Sequence, residues 1–334
     1  GVFYPLKKFV SKKEFISISK NKFIHKNVFF PLPIYFAIDH KTHKKLKNNK
    51  KINIFYNNTK VCYFKIKHVY SFDKKEKNNL GKSIYGTNNI KHPGFLRFIK
   101  EGPYYLDCEI YNFQKKILNQ IRFTNPKSFI NKLKKQNVEK LAAFHTRNVP
   151  HKGHEWIHKL GLKECKHLLI QPLINQFRKG EYDEGILIRT NKYLANKVYK
   201  NTYFAYFNSY PRYAGPKEGL LHALVRKNYG CTHFLVGRDH AGVGKYYKKY
   251  ETQQLCKKFQ KTLGLKMISF NEPYLCKACK KVVNKKCDKC SPKNYKFKIN
   301  GTYIRNLILN KKNIPRLIMR KKISKMLSKN SIIT

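Results

Sequence analysis

Acidic side chains are scarce in this chain of 334 residues: 18 Asp and Glu stand against 72 Lys and Arg, and the formal net charge is +54. Long apolar runs are missing too. The longest, residues 29–38, contains Pro31 and Pro33 and is too short to span a bilayer. The N-terminus has no charged and apolar regions leading to a small-residue cleavage site. No internal repeat is evident. These absences predict a soluble, cytoplasmic protein with no membrane partner. The chain opens on Gly1 rather than Met, which leaves any earlier residues open. Nine cysteines in such a setting do not read as a disulfide framework. Cys62, Cys108, Cys165, Cys231 and Cys256 are scattered, as buried small hydrophobes would be.

The positive charge allows two readings. Lys clusters neutralise phosphates, which would suit a nucleic-acid surface. Alternatively Lys and Asn, which travel together over residues 41–51 and 74–79, have accumulated on solvated surfaces by compositional drift. Lys is spread along the whole chain, which favours drift, and no specific nucleic-acid partner is expected. Either way the charge concentrates anionic substrates near the protein.

The length exceeds one average domain, so two or three compact units are expected. Residues 1–138 alternate Phe, Tyr, Ile and Val with Asn, Lys, Gly and Pro clusters. Residues 52–56, 61–67 and 104–111 read as short strands, making a β-rich domain. A polar helical stretch at 132–139 closes it. From Lys140 the signals alternate. Residues 141–144 read as a strand, 154–163 as a helix, and 167–170 as a strand stopped by Pro172. Residues 216–229 form a helix with Pro216 in its first turn and Gly230 past its end, and 232–236 a third strand. Alternation of this kind predicts an α/β domain over 139–270, with a parallel sheet and ligands at the carboxyl ends of its strands. Residues 271–334 form a small metal-bearing and helical segment.

Two motifs sit at such strand ends. Thr146-Arg147-Asn148 with His151 and His154 places two imidazoles on the first turn of a helix, where free N–H groups and positive partial charge favour a polyphosphate. A zinc pair is the rival reading, but it needs a third ligand. Gly237-Arg238-Asp239-His240-Ala241-Gly242 offers small residues for close backbone approach, with Arg238 and His240 to meet negative charge and Asp239 to orient a neighbour or a ribose. His222 and Arg226, four apart, share a helix face and line the site or serve packing. Cys276-x-x-Cys279 followed by Cys287-x-x-Cys290 fits a closed, tetrahedral, structural zinc site, with iron or a redox dithiol as alternatives.

The run Thr146-Arg147-Asn148 with His151 and His154, the run Ala214-Gly215-Pro216-Lys217-Glu218, and the long stretch from Arg226 to Gly242 resemble ATP sulfurylase (sulfate adenylyltransferase). Gly1-Val2-Phe3 with Pro5-Leu6, and His92-Pro93-Gly94, resemble the family's PUA-like N-terminal domain, and Gly301-Thr302 with Ile304-Arg305 its C-terminal segment. The resemblance implies a PUA-like domain, a Rossmann-like nucleotidyltransferase domain and the short, single-activity branch with a cysteine zinc knuckle. No kinase-like extension is expected after Thr334. It implies reversible conversion of ATP and sulfate to adenosine 5′-phosphosulfate (APS) and pyrophosphate, with Mg2+ on the phosphates, Zn2+ as a structural ion and a homodimer. Sulfate attacks the α-phosphorus directly. As a dianion it needs no general base, so Arg, His, Asn and N–H groups are wanted rather than paired carboxylates.

By that resemblance, His145, Arg147 and the backbone of Ala241 hold sulfate. Thr146, Asn148, His151 and His154 contact the triphosphate, with the histidines stabilising the transition state, and Gly237, Arg238, Asp239 and His240 embrace the nucleotide. The chain departs from the family where it shows His145 for Gln, Gln171 for His, Asn175 for Gly and Asn300 for Ser. His145 predicts a sharper pH dependence of sulfate or APS binding than Gln would give. Two other classes stay open. His151-Lys152-Gly153-His154 mimics the adenylation signature of class I aminoacyl-tRNA synthetases, and 322–325 loosely echoes their lysine motif. A zinc-containing nucleic-acid-binding protein with a decayed site is the third.

Overall fold

The computed structural model describes residues 1–20, 28–46, 49–119, 121–175, 178–285 and 295–333. The chain divides into two compact units. The first comprises Gly1–Arg122, Arg212–Asn228 and Asp239–Leu263, and the second Phe123–Pro211, Tyr229–Arg238 and Gly264–Thr334. Among the described residues no helix is long and apolar enough to cross a membrane.

In the first unit α1 (Lys12–Ser19) leads to β1 (Ala37–Ile38), α2 (His40–Leu46), β2 (Lys51–Tyr56), β3 (Thr59–Ser71), α3 (Lys74–Tyr85), α4 (Pro93–Lys100) and β4 (Tyr104–Tyr111). The four strands form one antiparallel sheet in the order β1-β4-β3-β2. Ser11 and Asp73 each close a capping box with Glu14 and Glu76, which starts α1 and α3 sharply. The aromatic richness of these residues goes inward. Phe15 packs against Tyr35, Phe72, Phe98 and Tyr105 at centroid distances of 5.1–5.9 Å.

The second unit begins with α5 (Pro126–Lys135), β5 (Leu141–Thr146), α6 (Lys152–Cys165), β6 (His167–Ile174), α7 (Glu184–Tyr193), β7 (Thr202–Phe204) and β8 (Phe207–Asn208). With β9 (His233–Val236) and β10 (Lys266–Ser269) these strands form a parallel sheet in the order β10-β9-β5-β6-β7, and β8 also pairs with β6. Its core joins Ala142, Phe144, Leu168, Ile170 and Leu235 of the strands to Ile157 and Cys165 of α6. The five scattered cysteines are buried as expected.

One expectation fails. β6 runs through Pro172 instead of stopping before it. Leu168 N–H donates to Asn201, and Ala205 and Ser209 donate to Ile170 and Ile174, so the even residues of β6 face β7 and β8. Pro172 therefore turns its missing N–H toward the gap where pairing passes from β7 at Ile170 to β8 at Leu173. No ladder bond is lost there, which is why proline is tolerated.

Three later helices, α8 (Gly215–Asn228), α9 (Glu251–Lys258) and α10 (Gln260–Leu263), belong to the first unit. Lys217 of the Gly-Pro-Lys-Glu run is spent on structure. Its Nζ donates to the Ser19 carbonyl at 2.7 Å, and burial lowers its pKa to about 8. In the second unit, β11 (Tyr274–Cys276), β12 (Lys281–Val283) and β13 (Lys296–Phe297) make a small antiparallel sheet, followed by α11 (Gly301–Leu309).

Candidate active site

The parallel register sets Ala142 beside His233 and Ala143 beside Phe234, so the carboxyl ends of β5 and β9 emerge side by side. Thr146 closes the first of these ends and Gly237-Arg238 follow the second. Thr146 Oγ1 accepts the Asn148 N–H at 3.0 Å and donates to the Asn148 carbonyl at 3.3 Å, folding the turn that presents Arg147. The Asn148 carbonyl also accepts Asn191 Nδ2 at 3.3 Å.

His151 is the N-cap of α6. Its Nδ1 accepts the His154 N–H at 3.3 Å, and the two rings stack with centroids 3.8 Å apart. That bond fixes the His151 tautomer with its proton on Nε2. Burial holds His151 and His158 well below the usual imidazole pKa and lowers His154 to about 4, so all three are neutral near pH 7. In the first turn of α6 the Lys152 N–H donates to the Ile318 carbonyl and the His154 N–H to His151, so an anion arriving there would meet imidazole N–H groups rather than a row of free amides. Glu155, also in that first turn, is tied to Arg320 at 2.7 Å and to Lys152 at 3.4 Å.

Two side chains in this place were not assigned a role from sequence. Arg305 on α11 donates from Nη1 to Asn148 Oδ1 at 3.4 Å and lies 5.7 Å from the Tyr182 ring. A Cβ on Gly301 would come within 2.9 Å of the same Asn148 oxygen, so a larger residue there would make the Asn148 carboxamide or the start of α11 shift. Glu181 stands 3.8 Å from Arg147. The Gly301-to-Arg305 run was the available signal for Arg305. Nothing in the local sequence marks Glu181.

The departures from the family pattern keep local geometry. Asn175 has φ +74°, a left-handed conformation that suits glycine and, next best, asparagine. Asn300 is the N-cap of α11 and accepts the Tyr303 N–H at 2.8 Å, a task serine shares. Gln171 is fully buried on β6. His145 on β5 has its ring 6.3 Å from that of Phe207.

The second motif is split by the division into units: Gly237 and Arg238 fall in the second, Asp239, His240 and Ala241 in the first. Arg238 pairs with Glu272 at 3.4 Å. Within the first unit Ala241 adopts φ +60°, and a Cβ on Gly242 would collide with the Asp239 carboxylate. The His240 carbonyl accepts Thr252 Oγ1 at 2.9 Å, and its Nε2 meets His222 Nδ1 at 3.1 Å. His222 and Arg226 are both buried, and Arg226 Nη1 donates to the His222 carbonyl at 3.2 Å. Cys276 and Cys279 form a turn in which the Cys279 N–H points to Cys276 Sγ at 3.4 Å. Cys287 and Cys290 lie outside the described residues.

A parallel α/β sheet whose strand-to-helix turn gathers Arg, His and Asn side chains fits a nucleotidyltransferase. The ATP-sulfurylase family matches residues 120–330, and a PUA-like domain matches residues 1–115. The sulfate adenylyltransferase of Thermococcus onnurineus is 31% identical, over 97% of this chain and 84% of its own length. That of Ignicoccus hospitalis is 30% identical, with the same shares of each chain. A solved structure titled hexameric APS kinase from Thiobacillus denitrificans has the same fold, with a TM-score of 0.68 at 12% identity over 98% of this chain and 58% of that one. The chain belongs to the ATP-sulfurylase family, and its activity is that of a sulfate adenylyltransferase, forming APS from ATP and sulfate.

Proposed function

We propose that the reaction is a direct, reversible displacement organised by the turn between β5 and α6. A sulfate oxygen forms the new bond to the α-phosphorus of ATP. The bond from that phosphorus to the bridging oxygen breaks, and pyrophosphate leaves with the electron pair. No proton needs to move. The observation that carries the reading is the stacked, neutral His151–His154 pair at the N-terminus of α6, beside the turn that presents Arg147 and Asn148.

Arg147, with His145, is the sulfate-holding side chain in this reading. Asn148, His151 and His154 take the triphosphate, and the imidazole N–H groups gain strength as charge builds on the leaving group. Thr146 acts by shaping the turn. Gly237 and Arg238 continue the nucleotide contacts. The roles of Asp239 and His240 toward the nucleotide, and of the Ala241 N–H toward sulfate, rest on the family resemblance. Magnesium would arrive on the phosphates, where it offsets their charge.

A structural zinc ion is proposed on Cys276, Cys279, Cys287 and Cys290. The Cys279 N–H directed at Cys276 Sγ fits half of a knuckle, since a peptide donor of that kind stabilises a thiolate ligand. The working form is proposed to be a homodimer, by resemblance, placed in the cytoplasm.

Purified protein mixed with APS, pyrophosphate and Mg2+ should produce ATP, followed by luminescence. His151→Asn keeps an oxygen that can cap α6 but removes the imidazole. It should cut kcat by about 100-fold or more, the scale of losing one transition-state donor. Full activity in that variant would remove His151 from the mechanism.

A further inference from the structure

The outer strand β7 walls a cavity of about 540 Å³ in the second unit that is separate from the motif turn, because β6 stands between β7 and β5. Three half-buried rings line it: Tyr203, Phe204 and Tyr206. Two ammonium groups flank them. Lys132 Nζ from α5 is 5.7 Å from the Tyr203 ring, and Lys192 Nζ from α7 is 6.0 Å from Phe204 and 5.9 Å from Tyr206. The carboxamides of Gln136, Asn196 and Asn201, with Thr202, complete the wall, and among the described residues no acidic one contributes to it.

The strand adds backbone groups. The Asn201 carbonyl and the Ala205 N–H are turned to β6, so by alternation Thr202 and Phe204 direct their N–H and C=O outward along the sheet edge. Rings that stack, cations beside them and a row of amide donors and acceptors form the chemistry that holds a base next to its phosphate. The volume lies within the usual range of about 300–1,000 Å³ for small-ligand sites. A simple oxyanion would leave the three rings unused. A peptide adding a strand would find an edge of three residues, shorter than such pairing needs.

We propose that this cavity binds a nucleobase together with its phosphate, as a site distinct from the adenylyl-transfer centre. The ligand is a free nucleotide or a nucleotide within a single strand; the bound chemistry is the same. The proposal does not depend on the residue roles assigned above.

The test uses the full chain at about 0.15 M salt, where loose binding through net charge is suppressed. A fluorescein-labelled hexauridylate is followed by anisotropy and uridine monophosphate by calorimetry. Three variants are compared with the parent: Lys132→Gln with Lys192→Gln, Phe204→Leu, and the charge-matched control Lys311→Gln with Lys312→Gln. ATP formation from APS and pyrophosphate, unchanged in all three, certifies the fold. The expected result is a loss of about tenfold in affinity for the first two variants and under twofold for the control. Such a loss with uridine monophosphate identifies a free-nucleotide site, and one with the hexamer alone identifies a strand site. No measurable binding, equal loss in the control, or an unaffected Phe204→Leu overturns the proposal.

Discussion

His222 Nδ1 lies 3.1 Å from His240 Nε2 in the first unit, with His222 buried and His240 half-buried. On the far side of the His222 ring, Nε2 is 3.6 Å from Glu218 Oε1, and the same carboxylate accepts the Arg212 and Ala214 N–H groups at 2.8 and 3.1 Å. A carboxylate favours the Nε2–H tautomer of His222, which leaves its Nδ1 as an acceptor for His240 Nε2–H. A histidine of the Gly-Arg-Asp-His turn is thus oriented by a buried histidine, itself oriented by the acid that caps the start of α8.

His222→Asn keeps an acceptor oxygen near the position of Nδ1 and should retain near-parental KM for ATP or APS. His222→Phe removes it and should raise that KM by about 5–30-fold, the equivalent of about 1–2 kcal/mol for one part-buried hydrogen bond lost. Steady-state kinetics on the two variants, with thermal unfolding to check the fold, decides the point. Equal losses in both would reduce His222 to packing.

Glu181 sets a carboxylate 3.8 Å from the guanidinium proposed to hold sulfate. Like charge opposes the incoming dianion, so Glu181→Gln should lower the KM for sulfate severalfold with a smaller change in kcat. A raised KM would mean instead that Glu181 holds Arg147 in its working rotamer.

Gly301→Ala brings a methyl within 2.9 Å of Asn148 Oδ1. Either Asn148 or the start of α11 must shift. The expected outcome is a kcat loss of about tenfold or more for a displaced contact near the reacting phosphates, with a small change in Tm. Retained activity would show that Asn148 has slack to yield.

Acid should destabilise the second unit through its buried imidazoles. His151, His154 and His158 have lowered folded-state pKa values because burial disfavours the charged ring, with His154 at about 4. Below the unfolded value near 6.5 the unfolded chain binds more protons than the folded one. Stability is therefore complete above about pH 6.5 and falls as pH drops toward the folded values, by up to about 1.4 kcal/mol per pH unit for each ring. His158→Phe should flatten the dependence of unfolding free energy on pH between 6 and 5 by that amount. An unchanged slope would mean that His158 is already charged in the folded protein.

Much of this site could be read one residue at a time. The Thr146-to-His154 turn, the proline and glycine that bracket α8, and the burial of the scattered cysteines follow from short-range rules. The strand through Pro172 did not, because its cost depends on which neighbour faces the missing N–H. That is a property of sheet order.

The sequence by itself determined the family, the activity and the strand-to-helix turns, since backbone geometry at a cap or a glycine depends on a few adjacent residues. Only the tertiary structure decided that Arg305 reaches Asn148 across 157 residues, that Glu181 faces Arg147, and that His222 supports His240. Those contacts join elements remote in the chain. Their distances are set by how helices and strands pack, and no local pattern of residues encodes that.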